Sequence, residues 1–218
     1  RSAVPDLPKC MAPVAGRPFL AHLIDALQKQ GVQRFIFSLG YKHELIAAFL
    51  QSDYPSLLYK LSIEDEPLGT GGAIVESCKL AIRKNVVVCN GDTFYEVNIT
   101  KLMSFHVQQN AVCTLALKPM KQFDRYGVVE TDSEWNIRSF REKQYYETGL
   151  INGGVYDLQV APFLELPFEK KFSFEKDFLE KYCGALPMKG LVQDGYFIDI
   201  GIPADFEKAQ KEFSLPLK

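Results

Sequence analysis

What this chain lacks narrows its chemistry first. Its five cysteines, Cys10, Cys78, Cys89, Cys113 and Cys183, are odd in number and far apart, with no C-x-x-C pair and no ligand-like cluster. Such spacing gives neither a disulfide framework nor a zinc site, and it fits buried free thiols in a reducing compartment. An excess of charge of one sign is also missing: 25 basic residues face 27 acidic ones, for a net charge of −2. No long-range field draws such a protein to nucleic acid or to an anionic membrane, so any polyanion it binds is held locally. No apolar run approaches the roughly 20 residues that cross a bilayer, and no secretory leader is seen. The expected location is therefore the cytoplasm, with no nucleic-acid or membrane partner. Neither G-x-x-x-x-G-K-[ST] nor G-x-G-x-x-G occurs, which removes support from a P-loop ATPase and a dinucleotide dehydrogenase. The three histidines, His22, His43 and His106, have no metal-ligand spacing and are expected on the surface or on helices. The one tryptophan, Trp135, lies in a polar turn and has no assigned role.

What is present is an alternation of helices and strands. With 218 residues, 47% of them hydrophobic, the chain is long enough to bury one sizeable core. No repeat, low-complexity tract or linker marks a boundary, so residues 1–218 are expected to form one domain. After a proline-punctuated opening, Leu20, Leu23, Ile24 and Leu27 recur at helical spacing behind Pro18, with Gly31 placed to stop the helix. Residues 34–40 read as a mostly buried strand, and 42–50 as a short helix carrying Leu45, Ile46, Phe49 and Leu50 inward. A strand is expected over 57–63, a loop over 64–72 and a helix over 73–82. The β-branched run Val86 to Cys89 is of the kind buried in parallel sheets. A helix over 100–110, with Thr100 able to cap a neighbouring turn, and a strand over 112–117 complete the βαβ rhythm. Strands over 127–130, 137–141 and 150–157 suggest an antiparallel or mixed extension. The chain then reads as a helix over 174–182 capped by Ser173, a strand over 196–200, and a terminal helix opened by Pro203.

Two aspartates stand out. Asp92 follows the apolar run in Asn90-Gly91-Asp92, and Asp199 ends a strand in Asp199-Ile200-Gly201. Each alone has the composition of a turn. If the two strands share a sheet, the carboxylates converge, and two hard oxygen ligands plus phosphate oxygens make an Mg²⁺ site. The loop Leu68-Gly69-Thr70-Gly71-Gly72 opens onto a helix, so its backbone N–H groups could face an anion or a base edge. Phe172-Ser173-Phe174-Glu175 could line a sugar pocket, although aromatic residues beside a helix start are more often core.

Several motifs occur in fixed order. They are Lys9 after Pro8, Glu64-x-Glu66-Pro67-Leu68-Gly69-Thr70-Gly71-Gly72, Asn90-Gly91-Asp92, and Phe123-Asp124-Arg125-Tyr126-Gly127. Glu142-Lys143, Asn152-Gly153-Gly154-Val155-Tyr156 and Asp199-Ile200-Gly201-x-Pro203 follow. Together they cover nearly the whole chain and resemble the sugar-phosphate nucleotidyltransferases. The runs 90–102, 123–129, 149–158 and 172–180 are most similar to members that use GTP and D-glycero-D-manno-heptose 1-phosphate. Members carry a strand and a G-x-G-T-R loop immediately ahead of the region that Arg1 to Lys9 resembles, and this sequence shows neither.

The resemblance implies an α/β, Rossmann-like (GT-A-like) fold with a mixed, mainly parallel sheet flanked by helices. It implies transfer of a nucleoside monophosphate from a nucleoside triphosphate, GTP by these runs, to a sugar 1-phosphate. Catalytic roles fall to Lys9, Asp92 and Lys143. Nucleotide contacts fall to Glu64, Leu68, Gly69, Thr70 and Gly91, and sugar-phosphate contacts to Gly127, Glu142, Lys143 and Asn152. Mg²⁺ would be held by Asp92 and Asp199. Arg125 and Tyr126 read equally as a buried structural pair or as substrate contacts. Two rivals stay open: a uridylyl- or thymidylyltransferase acting on a hexose or amino-sugar phosphate, and a non-catalytic regulator that binds a nucleotide sugar. Self-association is left open as well.

Overall fold

The computed structural model describes residues 7–214, so Val4, Pro5 and Asp6 of the proline-punctuated opening lie outside the described residues. A 3-10 turn over Lys9–Met11 leads into a two-residue-strand hairpin, β1 (Pro13–Val14) and β2 (Arg17–Pro18). Helix α1 (Phe19–Lys29) follows and ends before Gly31, whose φ of 86° is the left-handed conformation glycine adopts without strain. Then come β3 (Arg34–Leu39), α2 (His43–Asp53), β4 (Leu58–Ile63), α3 (Gly69–Lys79), β5 (Asn85–Cys89), β6 (Thr93–Tyr95) and α4 (Ile99–Gln108). The second half holds β7 (Cys113–Phe123), β8 (Val129–Thr131), β9 (Ile137–Phe140), β10 (Tyr146–Gln159) and α5 (Val160–Leu164). A π-helical segment over Phe174–Glu180, β11 (Met188–Val192), β12 (Phe197–Asp199) and α6 (Pro203–Glu212) close the chain.

The sheet is mixed. Strands β3 and β4 pair in parallel, and the four-stranded ladder runs β11-β7-β10-β5, with β11 parallel to β7 and the other two pairings antiparallel. Strand β6 pairs with β12, antiparallel. The run at Val86 to Cys89 therefore meets β10 head to tail rather than in parallel. Its residues are half-buried rather than fully covered, and β10 sets the direction by folding back across β7.

Other boundaries differ for local reasons. Strand β3 is half-exposed rather than mostly buried, with only Leu39 fully covered, and among the described residues β4 is its one ladder partner. Leu45 points outward at 42% exposure while Ile46, Phe49 and Leu50 are buried, so the inward stripe of α2 is narrower than its apolar count. The cap of α4 is Asn98, whose side chain accepts from the Lys101 amide at 2.8 Å, and not Thr100. Ser173 does cap the π-helical segment, accepting from the Lys176 amide at 3.2 Å. Strand β11 escapes the sequence pattern because Met188-Lys189-Gly190 has no β-branched residue.

The largest core packs the apolar faces of β7, β10 and β11 against Phe163, Phe172, Phe174, Phe178 and Leu179. Phe168 and Phe172 stack at 4.1 Å, and Phe163 meets Phe178 edge-on at 4.9 Å. Phe172 and Phe174 are thus core, as the composition favoured, and each fully buried ring stabilises the fold by about 1.5–3 kcal/mol. Helix α3 begins at Gly69, four residues earlier than its apolar spacing indicated, because two of its glycines admit the 168–172 segment. A methyl at Gly71 would sit 2.1 Å from the Phe172 ring, and one at Gly72 would sit 2.5 Å from the Lys170 carbonyl oxygen.

One histidine lies on a helix, as one of the two expected placements, but is buried rather than at the surface. His106 of α4 is fully buried, its Nδ1 bonded to Thr114 Oγ1 at 2.9 Å and its Nε2 lying 3.9 Å from Asp157 Oδ1 on β10. Burial pushes Asp157 up to about 7 and holds His106 down to about 4, with Lys84 adding to the second effect. The uncharged pair is what the core tolerates.

Two outcomes follow from this packing. Gly72→Ala should lose about 1–3 kcal/mol in urea unfolding, as overpacking against backbone does, whereas Gly40→Ala, with nothing within 4 Å of its added methyl, should stay within about 0.5 kcal/mol. Equal losses would show that close approach at α3 is unimportant. For Asp157, the folded state binds the proton more tightly than the unfolded chain, so stability falls as pH rises from the ordinary carboxylate range toward about 7. Asp157→Asn should therefore unfold at a higher temperature than the wild type at pH 8, with the gap closing by pH 4. A gap independent of pH would mean that Asp157 is not buried as an acid.

Candidate active site

Four chain segments converge where β5 ends. The turn Asn90-Gly91-Asp92 leaves β5, and the Asn90 amide donates to the Gly154 carbonyl at 3.0 Å. Strand β10 bulges at this point: Asn152 faces Leu117 and Tyr156 faces Leu115, so four steps on β10 oppose two on β7. Asn152-Gly153-Gly154 is the residue choice that such a bulge needs. Gly154 has a φ of 72°, and a methyl there would lie 2.6 Å from the Asn90 side chain. A methyl at Gly153 would lie 2.3 Å from the Tyr95 ring, whose hydroxyl donates to the Leu117 carbonyl at 3.0 Å.

The turn delivers Asp92 to one end of the β6–β12 ribbon. Thr93 is in register with Asp199, and the Ile200 amide donates to the Asp92 carbonyl at 3.0 Å. The two aspartates expected to converge are therefore neighbours across an antiparallel pair. Asp199 Oδ1 accepts from the Gly201 amide at 2.7 Å, which explains the glycine two positions on: a methyl at Gly201 would lie 2.9 Å from that oxygen. Lys9 reaches the same place from the 3-10 turn, its ammonium 3.2 Å from Asp92 Oδ2. With 53% and 33% of these side chains exposed, such a pair is worth about 0–1 kcal/mol and is readily exchanged for phosphate oxygens. Cys10 packs beneath Gly91 with its thiol pushed up to about 11, first by burial and further by the charge of Asp92. It is a packing residue and not a nucleophile.

On the second flank, the Glu64 carboxylate accepts from the Leu68 amide at 3.0 Å, closing the turn that starts α3. The Gly71 amide donates to the Phe172 carbonyl at 3.0 Å, and the Phe172 amide to the Leu68 carbonyl at 3.1 Å. The expectation of free backbone donors facing a ligand thus fails for Leu68, whose N–H is taken by Glu64, and for Gly71, whose N–H holds the turn to Phe172. Gly69 and Thr70 are exposed at the helix start, and Gly91 is exposed in the turn that leaves β5.

The third group lies along β10 and the approach to it. Asn152 accepts from the Gly154 amide at 3.0 Å and donates through Nδ2 to the Tyr156 hydroxyl at 2.8 Å, which fixes which way its amide points. Gly127 lets the chain cross the Arg141 carbonyl, 2.3 Å from where a methyl would be. Glu142 and Lys143 are exposed, and no hydrogen bond or ion pair among the described residues holds the Lys143 ammonium. Lys9, Asp92, Asp199, Asn152 and the α3 turn are therefore tied into one framework, while Glu142 and Lys143 stand on a free rim. Arg125 resolves as structural: it pairs with Asp205 in the first turn of α6 at 2.6 Å and donates to the Tyr126 hydroxyl at 2.7 Å. Sequence reasoning missed Tyr95, Tyr156 and Glu175 as the groups that hold this framework. Tyr156 sits inside the Asn-Gly-Gly-x-Tyr motif, where the spacing of four from Asn152 is the available signal.

A four-carboxylate cage is not what is built here. Among the described residues, no group of three or more His, Cys, Asp or Glu side chains gathers. Two aspartates fit a hard divalent cation that completes its shell with water and ligand phosphates, because such an ion is bound through one or two carboxylates. No helix among the described residues is long and apolar enough to cross a membrane.

The whole chain has relatives. It is 48% identical over 212 residues to the D-glycero-alpha-D-manno-heptose 1-phosphate guanylyltransferase of Aneurinibacillus thermoaerophilus, spanning 97% of this chain and 92% of that protein. It is 41% identical to the Campylobacter jejuni protein of the same name, spanning 94% and 90%. Its structure matches HddC from Yersinia pseudotuberculosis complexed with GMP-PN at a TM-score of 0.89 and 38% identity, over 98% of this chain and 93% of that one. A TM-score of 0.77 to an apo UDP-glucose pyrophosphorylase at 15% identity shows a shared fold alone. Residues 5–214 match the profile described as nucleotidyl transferase, and this chain belongs to that family.

Proposed function

We propose that this protein transfers GMP from GTP to D-glycero-D-manno-heptose 1-phosphate, giving GDP-heptose and pyrophosphate for glycan synthesis, with residues 1–218 acting as one catalytic domain in the cytoplasm. The observation that carries the reading is similarity at 48% and 41% identity over nearly the full length of two heptose 1-phosphate guanylyltransferases. Supporting it, Lys9, Asp92 and Asp199 lie together beside the Asn152 bulge.

In this reaction a phosphate oxygen of the sugar 1-phosphate attacks the α-phosphorus of GTP. The bond from that phosphorus to the bridging oxygen breaks, and pyrophosphate leaves with the electron pair. The nucleophile is already an anion and needs no base; repulsion between two anions is the obstacle. Asp92 and Asp199 would hold Mg²⁺, which supplies positive charge against the phosphates. Lys9, released from Asp92, neutralises the triphosphate. Lys143, unpaired on its rim, steers the attacking phosphate. Gly69, Thr70 and Gly91 face the nucleotide, Glu64 and Leu68 shape the turn that presents them, and Gly127, Glu142 and Asn152 receive the sugar.

Pyrophosphate release by the full-length natural protein with Mg²⁺, each nucleoside triphosphate and a panel of sugar 1-phosphates tests this directly. GTP with heptose 1-phosphate should be the fastest pair. Faster turnover with UTP or dTTP and a hexose phosphate would replace the reading, and nucleotide-sugar binding without release would make the protein a regulator. Asp92→Asn and Lys143→Ala should each lower turnover by about 10²–10³ with the fold intact by circular dichroism, the loss expected for one transition-state stabiliser. Turnover within about threefold of wild type would remove that residue from the mechanism.

A further inference from the structure

One carboxylate outside the assigned set sits between the two halves of the site. Glu175, on the π-helical segment, accepts through Oε2 from the Thr70 hydroxyl at 2.9 Å and from the Ser173 hydroxyl at 3.2 Å. Thr70 Oγ1 also accepts from the Phe174 amide at 2.9 Å, so its single proton is committed to Glu175. The first turn of α3 is therefore bonded to the start of the π-helical segment through one hydroxyl and one carboxylate. Phe174, next in the chain, is buried with its ring 5.0 Å from that of Tyr156. Tyr156 is itself buried and accepts from Asn152 Nδ2 at 2.8 Å. The negative charge of Glu175 is felt at the Tyr156 phenol, after burial the next largest influence raising its pKa.

We propose that Glu175 is a positioning residue that sets the nucleotide-side turn at Thr70 and the sugar-side amide of Asn152 relative to each other. The path runs from Thr70 through Glu175 and the Phe174–Tyr156 ring contact to Asn152. Its steps are the exposed Thr70–Glu175 hydrogen bond, the chain link from Glu175 to Phe174, the Phe174–Tyr156 ring contact and the Asn152–Tyr156 hydrogen bond. A π-helical turn suits this role, because its wider spacing spares one residue of the helical ladder and occurs often at functional sites. In the rest of the molecule a carboxylate with two hydroxyl donors would be a surface detail. Here its donors belong to the α3 turn and to the cap of the π-helical segment, whose aromatic core buttresses the sugar-side strand. The consequence is that a change on the nucleotide side reaches the sugar phosphate without touching it.

The inference rests on the guanylyltransferase reading above, and the test separates the two. Wild type is assayed first with GTP and heptose 1-phosphate; no pyrophosphate from that pair or any other removes both. With an active wild type, Glu175→Ala should raise the KM for both substrates about tenfold, the loss expected for a hydrogen bond to a charged group. Its kcat per folded enzyme should stay within about threefold. Glu175→Gln keeps the oxygen acceptor and should restore both KM values to within about threefold of wild type. A purely structural role would lower the melting temperature and the folded fraction and leave KM alone. Thr70→Val reads the same path if Glu175→Ala fails to fold: it should raise the KM for the sugar phosphate, although Thr70 lies on the nucleotide side. Combining Glu175→Ala with Asn152→Ala should raise the sugar-phosphate KM little beyond Asn152→Ala alone, because the two act in series. Unchanged KM values, no rescue by glutamine, or effects of the two substitutions that multiply would each overturn the proposal.

Discussion

The interruption of β10 between Asn152 and Tyr156 holds the rest of the site in place. A regular ladder there would keep β10 in step with β7 and leave the Gly154 carbonyl without the Asn90 amide it now accepts from. The two extra residues bring the end of β5 against β10, and Asp92 emerges from that junction toward Asp199. Two glycines make the junction geometrically feasible, since side chains at either would drive into Tyr95 or Asn90. The bulge is thus a designed feature in the sense that several segments depend on its dimensions. Its local cost is offset by the surrounding core, where β7, β10 and β11 bury Leu115, Leu117, Leu158 and Met188.

Electrostatics at the site are local in the way the near-zero net charge requires. A net charge of −2 supplies no long-range field to collect phosphates, and the lysines near the site stand singly on defined segments. Lys9 is parked on Asp92 in an exposed pair whose small worth makes it exchangeable. Lys143 has no such partner among the described residues and stands on the exposed approach to β10. The two lysines therefore differ in kind, one paired with a carboxylate and one without such a partner among the described residues. Buried acid and base are handled differently again, with burial raising Asp157 and lowering His106, each toward its uncharged form.

Much of this architecture is legible in the sequence. Alternating apolar runs fix where helices and strands lie, and the positions of α1, α2, α4 and α6 follow from spacing and caps within a few residues. That the backbones at Asp92 and Asp199 lie side by side is legible too, because both end apolar runs next to glycine. Strand direction is not: an apolar run such as Val86 to Cys89, half-buried here, suits a parallel or an antiparallel ladder, and only the return of β10 distinguishes them. His106 escapes for a related reason. Its burial depends on Thr114 and Asp157, 8 and 51 positions away in the chain, and no periodicity within α4 reports them.

The glycine-rich start of α3 shows why motif and mechanism must be argued separately. Leu68-Gly69-Thr70-Gly71-Gly72 invites a reading as an anion cradle, since glycines expose backbone N–H groups at a helix N-terminus. Gly71 and Gly72 instead accommodate the Phe172 ring and the Lys170 carbonyl, and the Gly71 amide is taken up by Phe172. The same close approach brings Thr70 within reach of Glu175, which a side chain at Gly71 or Gly72 would prevent. Packing links these parts: the glycines seat the 168–172 segment, the π-helical turn follows it, and that turn carries the carboxylate that accepts from Thr70. A glycine pair that looks like a ligand loop is, in this chain, the packing joint between the start of α3 and the aromatic core behind β10.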